Sequence, residues 1–391
     1  MAVDGKQVEV VFVGSFGEID QKLWQRCFPP PLEGRFWYET METCGLEDQF
    51  TFHYAVIRRA GEPIGIVPCF IHNVPIALVA PPPVALALNL LSKVFPRVGY
   101  QRTFFVGSPC SDEGTIGLVP GVDLADVADE IGRAVRQEAR KWKAPMIVFK
   151  DFPAGSFAAL RGLMTKGGFF RVVSYPGTTV ALPAPDKNAY LQALAHTQRH
   201  NLRKKLRRSQ ELLALETSVV ERPSARELDE IMGLFLQTYE KGRTKFERLD
   251  RRFFERIGAQ PPARFILQRE KTTGRLVTFM LVFCDGGRVT NKFIGIDYER
   301  AGKTYLYFRL FDAALDFAYA GGAKELQSGQ TGYRAKLDLG HRLVPLFNGV
   351  RHSNPLVNVI FRLIGTRVTW QSLDPDLATY LRAHPECDLG R

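Results

Sequence analysis

The chain lacks the usual marks of a secreted, metal-bound or membrane-spanning protein. Its six cysteines, at 27, 44, 69, 110, 284 and 387, form no Cys-x-x-Cys pair, and no N-terminal signal peptide precedes them. A reduced, cytoplasmic setting is therefore expected. The one ligand-like pair, His196 and His200 at i,i+4, has no glutamate beside the first histidine and sits among basic residues, so no metal site is expected. Long apolar runs are also missing. "VPIALVAPPPVALALNLLSKVF" (74–95) is cut by Pro81, Pro82 and Pro83, and "PLVNVIFRLIG" (355–365) is short and carries Arg362, so neither supplies the ~20 residues of a spanning helix. Both read as core, as walls of an apolar tunnel, or as a surface that dips into lipid. Acidic charge is in deficit: 41 Asp+Glu against 52 Lys+Arg leave a net charge of +11, which suits a phosphorylated cofactor, a nucleic acid, an acidic carrier protein or an anionic membrane.

What is present suffices for two globular domains. With 391 residues, 45% of them hydrophobic, length favours two cores over one. The linker "ALPAPDK" places the boundary near 185, giving domains 1–185 and 186–391. In the first, "TFHYAVIRRAGEPIGIVPCFIHN" alternates about a Gly-Glu-Pro turn as a hairpin, 122–143 has helical spacing, "APMIVFKDF" is a buried strand, a short helix spans about 156–166, and "FFRVVSYPGTTVALP" is a closing strand. In the second, "NAYLQALAHTQRHNLRKKLRRSQELL" reads as a basic helix and "RPSARELDEIMGLFLQTYEKG" as an amphipathic one, with Ser224 and Glu227 as a capping box. A three-strand meander, the loop "ERAGKT", an aromatic-rich helix ending in a glycine cap and the strand "AKELQSG" follow. Antiparallel strands, helix, strand is thus a repeated order, and the expected class is α/β (α+β).

Strand, "ERAGKT", helix, strand is similar to the core of the GNAT acyltransferase superfamily, whose acyl-donor pyrophosphate rests on a loop and helix N-terminus after the fourth strand. Arg300, Gly302, Lys303 and Thr304 would hold that donor here, although "RAGKT" lacks the second small residue of the superfamily's Arg/Gln-x-x-Gly-x-Gly/Ala pattern. Two such units, the "HNLRKKLRR" helix and "SGQTGYRAKLDLG" together resemble the Fem-type and related bacterial acyltransferases, over most of the chain and most closely over 190–350. The resemblance implies two GNAT-like units in tandem, each a mostly antiparallel mixed sheet flanked by helices. Some of that group use aminoacyl-tRNA to build peptidoglycan bridges. Others, including the bacterial ceramide synthases, acylate amines from thioesters. The short helices leave no room for the long helical hairpin of many tRNA-using members. The first expectation is therefore an N-acyltransferase that takes an acyl group from acyl-CoA or an acyl-carrier protein to an amphiphilic amine such as a sphingoid base, with no bound cofactor, acyl-CoA as co-substrate and peripheral contact with the inner membrane. The alternative is an aminoacyl-tRNA-dependent enzyme acting on a peptidoglycan precursor; a non-catalytic nucleic-acid or membrane-binding protein ranks last, and no DNA partner is expected.

Within 327–352, "QSGQTGYRAKLDLGHRLVPLFNGVRH", polar groups alternate with apolar ones. Amide formation from an activated acyl donor needs a proton acceptor, donors for the tetrahedral oxyanion and a proton for the leaving group. His352 or Asp338 would accept the proton, a backbone amide around Lys292–Gly295 would face the oxyanion, and Tyr333 would donate. Gln330, Lys336, Arg203 and Arg207 are candidates for substrate binding. An acyl tunnel is expected from Leu86, Leu88, Leu90, Val357, Ile360 and Phe361.

Overall fold

The computed structural model describes residues 8–75, 100–242 and 247–389. The tunnel residues Leu86, Leu88 and Leu90 lie outside them. The first unit is built from β1 (Val8–Val13), α1 (Gln21–Cys27), α2 (Arg35–Thr43), β2 (Thr51–Arg59), β3 (Glu62–Pro75), β4 (Tyr100–Val106), β5 (Gly117–Leu118), α3 (Leu124–Lys141), β6 (Met146–Pro153), α4 (Ala154–Ala159), α5 (Arg161–Lys166) and β7 (Phe170–Val173). The second contains β8 (Gly177–Ala181), α6 (Lys187–Ala193), α7 (His196–Leu212), β9 (Leu215–Val220), α8 (Ala225–Lys241), α9 (Arg251–Gly258), β10 (Ala263–Glu270), β11 (Leu276–Asp285), β12 (Arg288–Ile296), α10 (Tyr298–Thr304), α11 (Leu306–Ala320), β13 (Glu325–Gln327), α12 (Tyr333–Asp338) and β14 (Arg342–Val344). The chain then supplies β15 (Leu346–His352), α13 (Pro355–Gly365), α14 (Trp370–Leu373) and α15 (Pro375–Ala383).

Local chemistry explains most boundaries. Asp123 caps α3 by accepting the Ala125 N–H, and Val127, Ala128, Ile131, Val135 and Ala139 form its buried stripe. Ser224 and Glu227 close the expected capping box on α8, whose Leu228, Ile231, Leu234 and Phe235 face inward. Gly295 lies where α8 crosses β12: a Cβ there would stand 2.3 Å from Phe279 and 2.7 Å from Leu234, so only glycine admits that approach.

The first sheet runs β1-β2-β3-β4-β6-β15-β7 and the second β14-β8-β13-β12-β11-β10-β9. Each is antiparallel except for one parallel pair, β4 with β6 and β12 with β13, joined by a crossover that contains a helix. Each unit is thus a mixed, mostly antiparallel sheet flanked by helices.

The partition of the chain departs from a single cut at 185. Residues up to Tyr175 group with Pro345–Leu373, and Pro176–Val344 group with Asp374–Leu389. The segment expected to be one closing strand is two strands in different sheets, β7 paired with β15 and β8 paired with β13 and β14. Likewise β15, which a cut at 185 would leave in the second domain, lies between β6 and β7 of the first. Two smaller corrections follow. The basic helix breaks at Leu194 into α6 and α7, and "ERAGKT" forms most of α10, separated from α11 by Tyr305 at φ 49.

Candidate functional site

In the second unit, β13 pairs with β12 only from Arg288↔Glu325 to Thr290↔Gln327, whereas β12 continues to Ile296. Among the described residues no strand pairs with that last stretch of β12 on its β13 side. A bulge falls at the same place, since Leu281 faces Phe293 and Val282 faces Asn291, leaving Lys292 as the extra residue. The backbone amides expected to face an oxyanion, Lys292–Gly295, thus belong to an irregular strand beside an opening in the sheet.

The chain leaving β13 is bent by left-handed residues Gly329, Thr331 and Gly332 (φ 50, 64 and 62). Buried groups hold the bend. Lys336 Nζ donates to the carbonyls of Ser328, Gly329 (3.2 Å) and Gln330 (3.1 Å). Thr178 donates to the Gly329 carbonyl at 2.9 Å, and the fully buried Tyr333 hydroxyl to that of Pro176 at 2.9 Å. His341 has Nδ1 2.9 Å from the Lys336 carbonyl and Nε2 3.1 Å from the Ser328 hydroxyl. Burial, aided by the Lys336 charge, pushes its pKa down to about 3, so the ring is neutral and, with Nδ1 the donor, accepts from Ser328. Lys336 and Tyr333 therefore have bonding partners inside the fold, and Gln330 contributes its carbonyl to the same bend.

The other expected residues spread over several elements. Asp338, half exposed on α12, pairs with Lys205 at 3.0 Å. His352 ends β15 in the first unit, where Nδ1 accepts the Asn354 N–H at 3.1 Å and burial lowers its pKa. It therefore belongs to a different unit from Asp338 and Tyr333. Arg300 directs its guanidinium to Glu270 (3.4 Å) and to the buried Asp297 (3.8 Å), which also binds Arg275 at 2.8 Å. Thr304 donates to the Arg300 carbonyl at 2.6 Å, and a Cβ at Gly302 would meet nothing within 4 Å. The Lys303 side chain lies outside the described atoms. Of the tunnel residues, Ile360 is 56% exposed and lines no enclosed wall.

One charged surface does assemble. On α7, Leu202 and Ser209 are buried, the Ser209 hydroxyl bonds the Thr304 carbonyl, and Lys205 stands 3.9 Å over the Phe308 ring, which seats the helix on α10 and α11. The outward face carries Arg203, Lys204, Arg207 and Arg208, all exposed, and none has an ion-pair partner among the described residues.

The first unit holds a buried polar cluster that sequence reading missed. Asp151, 4% exposed and left-handed at φ 59, follows the parallel stretch of β6. Its carboxylate accepts from the Ser174 hydroxyl and the Lys150 ammonium, and its N–H donates to Asn348 Oδ1 at 2.8 Å. Lys150 also reaches the Ser111 carbonyl at 3.4 Å, and the Ser111 hydroxyl bonds Glu33. The available signal was an adjacent Lys-Asp pair inside the otherwise apolar "MIVFKDF". Among the described residues no three His, Cys, Asp or Glu side chains gather as a metal site, and no helix is long and apolar enough to cross a membrane.

Residues 184–354 match the FemAB-like family, described as peptidoglycan biosynthesis/recognition. The fold is shared with FemX (14% identity, TM-score 0.57, covering 90% of this chain and 100% of that one). It is shared too with a conserved protein of unknown function from Bacteroides thetaiotaomicron VPI-5482 (11%, TM-score 0.52, 88% and 100%) and with L-PGS from Bacillus licheniformis (12%, TM-score 0.51, 84% and 95%). No curated protein sequence matches this chain.

Proposed function

We propose that this protein transfers an aminoacyl group from tRNA to an amine of a peptidoglycan precursor. The observation that carries this reading is the outer face of α7, where Arg203, Lys204, Arg207 and Arg208 project together without carboxylate partners among the described residues. A row of cations suits successive phosphates of a nucleic acid, and the helix is seated on α10 and α11, which follow the strand that opens beside β13. The FemAB-like match, residues 184–354, covers most of this unit and runs on through β15. In the reaction the amine attacks the ester carbonyl, a C–N bond forms, the C–O bond to the tRNA breaks, and the amine's proton ends on the released ribose hydroxyl. The β12 amides near Lys292–Gly295 would face the oxyanion, which is the part of this chemistry that fixed dipoles accelerate most.

The test compares donors at equal concentration: labelled aminoacyl-tRNA with a peptidoglycan precursor, and acetyl-CoA or palmitoyl-CoA with a sphingoid or small soluble amine. Transfer is expected from aminoacyl-tRNA, with KM rising steeply with salt. Reversal of Arg203, Lys204 and Arg207 to Glu should raise that KM at least tenfold and flatten the salt dependence. Transfer from a CoA thioester alone would replace this reading with thioester-dependent N-acylation.

A further inference from the structure

Strand register places several chain segments at one end of the first unit's sheet. Pro75 at the end of β3 faces Tyr100 at the start of β4, Thr103 of β4 is in register with Met146 at the start of β6, and Met146 faces His352 at the end of β15. From His352 the chain passes into α13, so this helix grows from the sheet end at which β4 and β6 begin.

The inner side of α13 is fixed. Asn358 accepts the His352 N–H at 2.8 Å and donates to the Gly168 carbonyl at 3.1 Å, and a Cβ on Gly365 would stand 2.7 Å from Val172. Its outer side is apolar. Leu356, Val359, Ile360 and Leu363, at helical i, i+3, i+4, i+7 spacing, are 77%, 54%, 56% and 54% exposed, and Tyr100 at the same sheet end is 54% exposed.

The surrounding charge is positive. No acidic residue occurs between Asp338 and Asp374, while Arg351, Arg362 and Arg367 do. Arg351 on β15 is held below the usual guanidinium range by burial and by Arg136 and Arg140 of α3, and Arg136 in turn by burial, Arg133 and Arg140. The carboxylates facing this group are Asp129, which also binds Lys166 at 3.3 Å, and Glu130, which binds Arg133 at 3.4 Å. The last turn of α3 adds Lys141, paired with Glu138 at 2.7 Å.

We propose that this sheet end docks on an anionic lipid bilayer, with α13 lying in the interface. Charge complementarity selects the occupant. A second copy would bring the same arginines face to face, and the chain between Pro75 and Tyr100 carries Lys93 and Arg97 but no acidic residue. A bilayer of anionic lipid offers hydrocarbon to the four apolar side chains and negative headgroups to the arginines around them.

The full-length protein is to be sedimented with vesicles of phosphatidylglycerol and phosphatidylcholine, or of phosphatidylcholine alone, and thermal unfolding followed in parallel. Wild type should bind the anionic vesicles at least tenfold more tightly than the neutral ones, and lose most of that binding in 0.5 M salt. The triple variant Leu356→Ser, Ile360→Ser, Leu363→Ser should weaken it at least tenfold with an unchanged unfolding midpoint. A second variant, Arg362→Glu, should weaken binding to anionic vesicles only. No binding by wild type, or equal binding by the triple variant, would overturn the proposal. So would a wild-type dimer, seen by sedimentation without vesicles, that the triple variant converts to monomer, because the face would then belong to a second copy.

Discussion

Lys205 on α7 holds Asp338 on α12 in a 3.0 Å ion pair while its ammonium lies over the Phe308 ring. The pair links the cationic helix to the segment that follows β13. With Asp338 half exposed, it contributes no more than ~1 kcal/mol. Asp338→Asn should therefore lower the urea midpoint only slightly and leave kcat within about threefold. A hundredfold fall in kcat with unchanged stability would make Asp338 the proton acceptor instead.

Stability should decline in acid because of His341. Its pKa is lowered to about 3 in the fold, against about 6.5 for an ordinary histidine. Between those values the unfolded chain binds a proton that the folded one refuses, so the contribution is complete above about pH 6.5 and is lost as pH falls toward 3, at up to ~1.4 kcal/mol per pH unit. Urea titrations from pH 7 to 4 should show this slope, and His341→Gln should reduce it.

Lys336→Met tests the bend after β13. The ammonium satisfies three carbonyls, those of Ser328, Gly329 and Gln330, and methionine would leave them without it. A loss of about 2–3 kcal/mol is expected from urea unfolding, because unmet buried acceptors cost more than an ordinary hydrogen bond contributes.

Asp151 makes a complementary case in the first unit. Asp151→Ala removes the acceptor of Ser174 and Lys150 and places a side chain poorly suited to φ 59, so a loss of about 3 kcal/mol is expected by calorimetry. Asparagine tolerates the left-handed region and keeps one oxygen, so Asp151→Asn should cost about 1 kcal/mol less.

Gly114→Ala addresses the same cluster from the neighbouring loop. A Cβ at Gly114 would lie 2.1 Å from the Lys150 carbonyl and 2.7 Å from the Phe152 ring. The β6 backbone cannot yield that far without disturbing Asp151, and a drop of several degrees in Tm is expected.

Where one segment's own chemistry decides its structure, the sequence was readable: the helical spacing of α3, the Ser224–Glu227 box and the β10–β12 meander all follow from short-range pattern. Strand membership was not. "FRVV", "GTTVA" and "LFNGVRH" are short apolar runs whose local pattern is the same whichever sheet receives them, so the crossings at Ser174–Pro176 and at Pro345 left no mark. The site divides similarly. The charge run of α7 was visible as a helical face, and the structure shows that face exposed. Lys150 and Asp151 were hidden because a charged pair inside an apolar strand looks like a solvated edge until Ser174 and Asn348, distant in sequence, close over it.

The exchange of β8 and β15 between the sheets sets a timetable for synthesis. When Val173 leaves the ribosome, β7 has no partner strand, because among the described residues it pairs only with β15, and β6 presents an open edge where β15 will lie. The first sheet cannot close until His352 has been made, after the whole of Pro176–Val344 has emerged. A chain released early, or cut at residue 185, would keep that edge bare and expose it to other nascent chains.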